Sequence, residues 1–153
     1  MIKIVDGATF EAENAYGIGL IIRDSNGAII LATTTYSTGS LSASMAEMMS
    51  IKEDLSWIKA SNLSNIIIET DCLIAIQVLH SLVDMPSIFG YIVQECKLLL
   101  SSFNNVNVYH VKRSANKATH YLTRGSCYWF DRSFTESTSP TTLQSFVITD
   151  LAI

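Results

Sequence analysis

Apolar and polar residues alternate over residues 2–6, putting Ile2, Ile4 and Asp6 on one face of a short strand and Lys3 and Val5 on the other. Asp6 is expected to end that strand before Gly7. Two longer runs rich in Ile, Leu and Thr, residues 16–23 and 28–35, flank Asp24-Ser25-Asn26-Gly27. Asn-Gly between such runs is a strong hairpin signal, so these are expected to be antiparallel neighbours. Over 43–60 the period changes, with Met45, Met48, Ile51, Leu55 and Ile58 recurring at three- and four-residue steps after Leu41. That spacing predicts a helix in which Glu47 precedes Ile51 by one turn and Asp54 lies two turns beyond Glu47.

The run Asn65-Ile66-Ile67-Ile68-Glu69 is short and continuously apolar, which fits a strand buried on both faces, as parallel strands are. Asp71 follows, placed to cap a helix over 72–83. Pro86 suits the first turn of another helix reaching residue 102, with Tyr91, Ile92, Glu95, Leu98 and Leu99 in its repeat. A strand over 105–111 comes next. Ser114 then opens a last helix through 124, with Asn116 and His120 one turn apart. Past Gly125 the composition shifts to Ser, Thr and aromatic residues, with no clear period until Leu143–Leu151. The order predicts an α/β fold in which a mostly antiparallel three-stranded sheet is extended by parallel strands through right-handed helical crossovers.

A chain of 153 residues is one domain by length and can bury roughly 68–70% of its unfolded surface. With 48% hydrophobic and 16% charged residues and two prolines, a disordered or low-complexity chain is excluded. The apolar stretch Ile18–Ile22 is closed by Arg23 and Asp24, far short of the roughly 20 residues a membrane span needs. The first residues show no charged leader followed by a long apolar region, so secretion is not expected. Three cysteines at 72, 96 and 127 give neither a disulfide framework nor a zinc spacing. A reducing interior, nuclear or cytoplasmic, is the expected compartment. The net charge of −4 argues against strong salt-driven affinity for nucleic acid. Lys112, Arg113, Lys117 and Arg124 nevertheless cluster, either as phosphate contacts or as an ordinary solvated helix face.

Asp6, Glu47 and Asp71 carry the chemistry. Strand ends and helix starts on one sheet edge can bring them together, and hard oxygen ligands of this kind suit magnesium or manganese. Two such ions about 3.5–4 Å apart would activate a water and stabilise the leaving oxygen in phosphodiester hydrolysis. The competing reading is structural, with each aspartate capping a turn or helix and Glu47 solvated.

An ordered series of motifs goes further. Val5-Asp6-Gly7-Ala8, Gly17 to Gly27, Ala46-Glu47, Glu69-Thr70-Asp71, and His110 through Asn116 to Arg124 resemble, in order and spacing, the ribonuclease H-like domains related to reverse-transcriptase ribonuclease H. The likeness is greatest to the plant group derived from non-LTR retroelements, whose tail the segment from Pro140 to Leu151 also resembles. The resemblance implies a ribonuclease H-like α/β domain over 1–126, with a five-stranded mixed sheet of three antiparallel and two parallel strands flanked by helices. Residues 127–153 would be a tail packing on or extending from it. It further implies metal-assisted cleavage of the RNA strand in RNA–DNA hybrids, with one or two Mg2+ or Mn2+ ions held by Asp6, Glu47, Asp71 and His120.

In this family a fourth aspartate stands where this chain has His120, and magnesium prefers oxygen to imidazole, so the second ion should be held more weakly. The family's histidine ahead of the last helix, which assists turnover, corresponds to His110, with Arg113 the alternative. Lys112, Arg113, Asn116 and Lys117 are the expected nucleic-acid contacts. So is Ser44, in the Ser42-Ala43-Ser44 segment that stands near the family's minor-groove asparagines. A monomer acting on a hybrid duplex is the expectation, and a non-catalytic module that keeps the fold and binds nucleic acid or protein is the alternative.

Overall fold

The computed structural model describes residues 2–129, 131–135, 138 and 140–151, leaving aside the side chains of residues 2–6, 129, 149 and 151. In chain order the elements are β1 (Ile2–Phe10), β2 (Ala15–Arg23), β3 (Ile29–Thr38), α1 (Ala43–Ala60), β4 (Ile66–Thr70) and α2 (Leu73–His80). They continue with α3 (Ile88–Ser101), β5 (Val106–His110), α4 (Lys117–Arg124), α5 (Ser126–Trp129), β6 (Arg132–Phe134) and α6 (Thr141–Leu151). The β2–β3 hairpin closes as its sequence suggests: Asp24 Oδ1 accepts from the amides of Asn26 at 2.8 Å and Ala28 at 2.9 Å, and Gly27 supplies a φ of 87°.

The sheet runs β5-β4-β1-β2-β3-β6. β1, β2 and β3 are antiparallel neighbours, and β4 and β5 extend the sheet parallel to β1. Among the described residues the expected five strands are six, because Arg132–Phe134 pairs antiparallel with Ala32–Thr34. Three residues with no period of their own form a strand only because the β3 edge offers them partners.

Each sheet face has its own core. On one, Met48, Ile51, Leu55 and Ile58 of α1 pack with Leu20, Ile22, Ile66, Ile68 and Val93. On the other, Ala118 and Leu122 of α4 meet Leu143 and Val147 of α6 over Ile21 and Ala32. Both helices of the second pair use i, i+4 spacing, which stacks two side chains on one face. Among the described residues no helix is long and apolar enough to cross a membrane.

Several local expectations give way to longer-range contacts. β1 does not stop at Asp6 but continues through Gly7 to Phe10, paired with β2 all the way. α2 ends at His80 rather than 83, since the Ser81 hydroxyl accepts the Val83 amide at 3.1 Å that a continuing helix would have used. Pro86 precedes α3 rather than joining it, and Ser87 caps that helix by accepting from Gly90 N at 3.0 Å. Ser114 lies in a 3-10 turn, and α4 begins only after Asn116. β4 is not buried on both faces: Ile67 is 38% exposed, because α4 lies over β1 and β2 and leaves that side of β4 open.

Candidate carboxylate site

Backbone contacts set Asp6 beside Glu47, and a hydrogen bond ties Glu47 to the residue before Asp71. Gly7 allows the first approach: a Cβ there would lie 2.5 Å from Ala46 C and 2.8 Å from Glu47 N, so β1 and α1 touch main chain to main chain beside Glu47. The β1–β4 pairing supplies the second, since Ile4 is level with Glu69, each two residues ahead of Asp6 and Asp71 in its own segment. A third approach involves α4. Asp6 pairs with Gly19, and a methyl on Gly19 would overlap Thr123 Oγ1 and sit 2.9 Å from Thr123 N. The Asp6 side chain itself lies outside the described residues.

Glu47 is 5% exposed and its Oε2 accepts from the Thr70 hydroxyl at 3.4 Å. The same Thr70 oxygen accepts the Cys72 amide at 3.1 Å in a tight turn, and α2 starts after Cys72 with no side-chain cap, so Asp71 does not take the capping role expected of it. Asp71 is released for another partner: Arg113 Nε donates to its Oδ2 at 2.9 Å, joining a carboxylate 2% exposed to a guanidinium side chain 68% exposed. The Cys72 thiol reports the field between the two acids. Burial pushes it up, and the charges of Glu47 and Asp71 push the same way against the Ala75 and Ile74 amides.

The remaining predicted residues divide. His120 sits on α4, half-buried, one turn past Asn116, whose carbonyl accepts the His120 amide at 3.1 Å. Asn116 is fully buried, and neither its amide oxygen nor its nitrogen has a partner among the described residues. That placement does not suit a direct nucleic-acid contact. His110 is level with Thr70 but lines a different hollow, of about 460 Å³, with His80 and Lys97. Of the two residues expected near the last helix, Arg113 is the one that reaches Asp71. Lys112 and Lys117 are exposed and Ser44 is half-buried. Ser42 caps α1, accepting from Met45 N at 3.2 Å. Arg124 donates to the Thr9 carbonyl at 3.2 Å and stacks 4.9 Å from the Phe10 ring centre.

The donor chemistry of Glu47 and Asp71, two shielded carboxylates flanking Thr70, fits one hard divalent cation when Asp6 joins them. Among the described residues, which exclude the Asp6 side chain, no three His, Cys, Asp or Glu residues form a ready metal cluster.

Sequence reasoning did not single out Thr70, Gly7 or Gly19. Their signals were present: Thr70 continues the alternation of Ile66 and Ile68 onto the buried face, and Gly17-Ile18-Gly19 strips one face of β2 where α4 and α5 come close.

Comparison with known proteins bears on this arrangement. A family model described as reverse transcriptase-like matches residues 4–126. No curated protein matches the chain. Among solved structures, ribonuclease H1 from the halophilic archaeon Halobacterium salinarum NRC-1 is similar with a TM-score of 0.72 at 17% identity, covering 83% of this chain and 96% of its own. The N-terminal ribonuclease H domain of a Mycobacterium tuberculosis protein gives 0.68 at 14%, covering 84% and 94%. A compost-derived ribonuclease H1, LC11, solved in complex with an RNA/DNA hybrid, gives 0.66 at 17%, covering 80% and 93%.

Proposed function

The chain belongs to the reverse transcriptase-like family, and we propose that it is a ribonuclease H-type hydrolase that cuts the RNA strand of RNA–DNA hybrids, its rate limited by the residue at position 120. The observation that carries this reading is the close approach of β1 at Gly7 to the Glu47 backbone, beside the β1–β4 pairing that puts Ile4 level with Glu69. The hybrid bound by a protein of similar fold supports the choice of substrate.

Asp6, Glu47 and Asp71 would hold one magnesium or manganese ion. When bound, the ion supplies charge neutralisation at the phosphate and a more acidic water. The protein's own groups do the rest. Thr70 fixes the Glu47 carboxylate by donating to it, and Arg113 orients Asp71 while its exposed guanidinium faces solvent where a phosphate approaches. Lys112 and Lys117 add cationic contacts to the backbone of the duplex. His120 offers imidazole where an oxygen ligand would hold a second hard ion, which favours manganese over magnesium and slows turnover.

Incubating the protein with a labelled hybrid and either ion tests the reading. Cleavage is expected with manganese above magnesium, and Asp71→Asn should abolish it. No cleavage with either ion, or full activity in Asp71→Asn, overturns it. The Arg113–Asp71 ion pair and His120 favour a second reading, a hybrid-binding module without catalysis. Its signature is salt-dependent hybrid binding with no product under any metal.

A further inference from the structure

A hollow of about 520 Å³ opens beside the carboxylate site between α4, α5 and α6. Three aromatic rings line it. Tyr121 and Phe146 stand 5.4 Å apart at a tilt of 46°, and Tyr128 lines the same space while 82% exposed. Arg113, Lys117 and Arg124 also line it, and no carboxylate does among the described residues. Arg113 is already paired with Asp71, so in a chain of net charge −4 Lys117 and Arg124 are the cations that select an anion there. Lys117 is exposed, and its ammonium makes no ion pair among the described residues. The flat apolar walls ask for a planar partner.

We propose that this hollow takes an unpaired nucleotide of the RNA strand, its base stacked on Tyr128 and its phosphate on Lys117. Stacking on aromatic side chains with cationic backbone contacts is how single strands are held without sequence preference. Arg113, which lines the hollow, is ion-paired with Asp71 of the carboxylate site, so the strand lying at that site is the one that continues into it. The identification of that strand as RNA rests on the proposed function. Tyr128 and Phe146 lie beyond the residues 4–126 matched by the family model, so the hollow is built partly by residues outside the matched region.

Fluorescence anisotropy in the presence of chelator, with a short labelled single-stranded RNA and with hybrids that are blunt or carry an RNA or a DNA overhang, tests this. An RNA overhang should tighten binding over the blunt hybrid by on the order of tenfold, the worth of a base–aromatic stack. Tyr128→Ala should remove that gain and leave blunt-hybrid affinity unchanged. The proposal is overturned if blunt and overhanging hybrids bind alike, if only the DNA overhang gains, if Tyr128→Ala weakens every duplex equally, or if the single-stranded RNA fails to bind. Tyr128-dependent capture of single-stranded RNA without blunt-hybrid binding would instead sink the hybrid reading and keep the hollow as an RNA site.

Discussion

Gly7→Ala is the substitution that most directly couples the fold to the site. The new Cβ would lie 2.5 Å from Ala46 C, 2.6 Å from Ala46 O and 2.8 Å from Glu47 N. All three are backbone atoms of α1, so no rotamer relieves the overlap. Ordinary carbon contacts need about 3.5–4.0 Å, so α1 must retreat by about 1 Å. Its inner face, with Ala46, Met48, Ile51, Leu55 and Ile58 all 0% exposed, would loosen as it moved. Overpacking of this kind costs about 1–3 kcal/mol, and alanine's smaller backbone entropy loss returns roughly 0.5–1 kcal/mol. With the clash at the upper end, the net loss is about 2 kcal/mol, which for a chain of this size lowers Tm by roughly 4–8 °C. Glu47 travels with the helix, and a displacement of about 1 Å at a catalytic group costs on the order of a hundredfold in rate. Thermal melting followed by circular dichroism, alongside manganese-supported hybrid cleavage, reads both effects. An unchanged Tm with full cleavage would refute the claim that main-chain contact at Gly7 positions Glu47.

His120→Asp should raise magnesium-dependent cleavage by on the order of tenfold or more by restoring an oxygen ligand, and no change in a folded variant would place the limit elsewhere. Asp150→Ala should destabilise the protein by about 1–2 kcal/mol in urea titration, because Asp150 accepts from Lys117 N at 3.2 Å and Ala118 N at 2.9 Å at the start of α4; an unchanged midpoint would show that α6 does not hold α4. Burial holds the Glu69 carboxyl above its ordinary value, opposed by Arg23 and reinforced by Asp150. A carboxyl whose folded pKa is raised stabilises the fold while protonated, and that contribution is lost as pH rises through the raised value. Glu69→Gln should therefore flatten the fall in urea midpoint from mildly acidic to neutral pH, and an unaltered slope would contradict the assignment.

What was legible in the sequence was local. The hairpin at Asp24–Gly27 and the helix over 43–60 follow from short-range rules, turn chemistry in one case and apolar spacing in the other, and their bounds are met closely. Where expectations failed, a distant partner decided. Asp71 reads as a helix cap because its neighbours in sequence are a strand and a helix, yet Thr70 supplies the oxygen for Cys72 and Arg113, far along the chain, claims the carboxylate. β6 exists because the β3 edge is there to pair with it. The hollow beside His120 needs Phe146 from α6, and no periodicity announces which helix a tail will lie against. The three acids were singled out through ordered motifs, since each alone fits a cap or a solvated surface equally well.

The contacts that place α4 hold the backbone of position 120 in register. Ala118 and Leu122 anchor the helix in the core, Asp150 satisfies its first amides, and Thr123 rests against Gly19. Those contacts fix where residue 120 stands, and under the proposed function the strength of the second ligand would be read in activity. Under the proposed function His120→Asp should be read first in cleavage, whereas Asp150→Ala should be read in Tm, because the Asp150 carboxylate holds the start of α4 and takes no part at the carboxylate site.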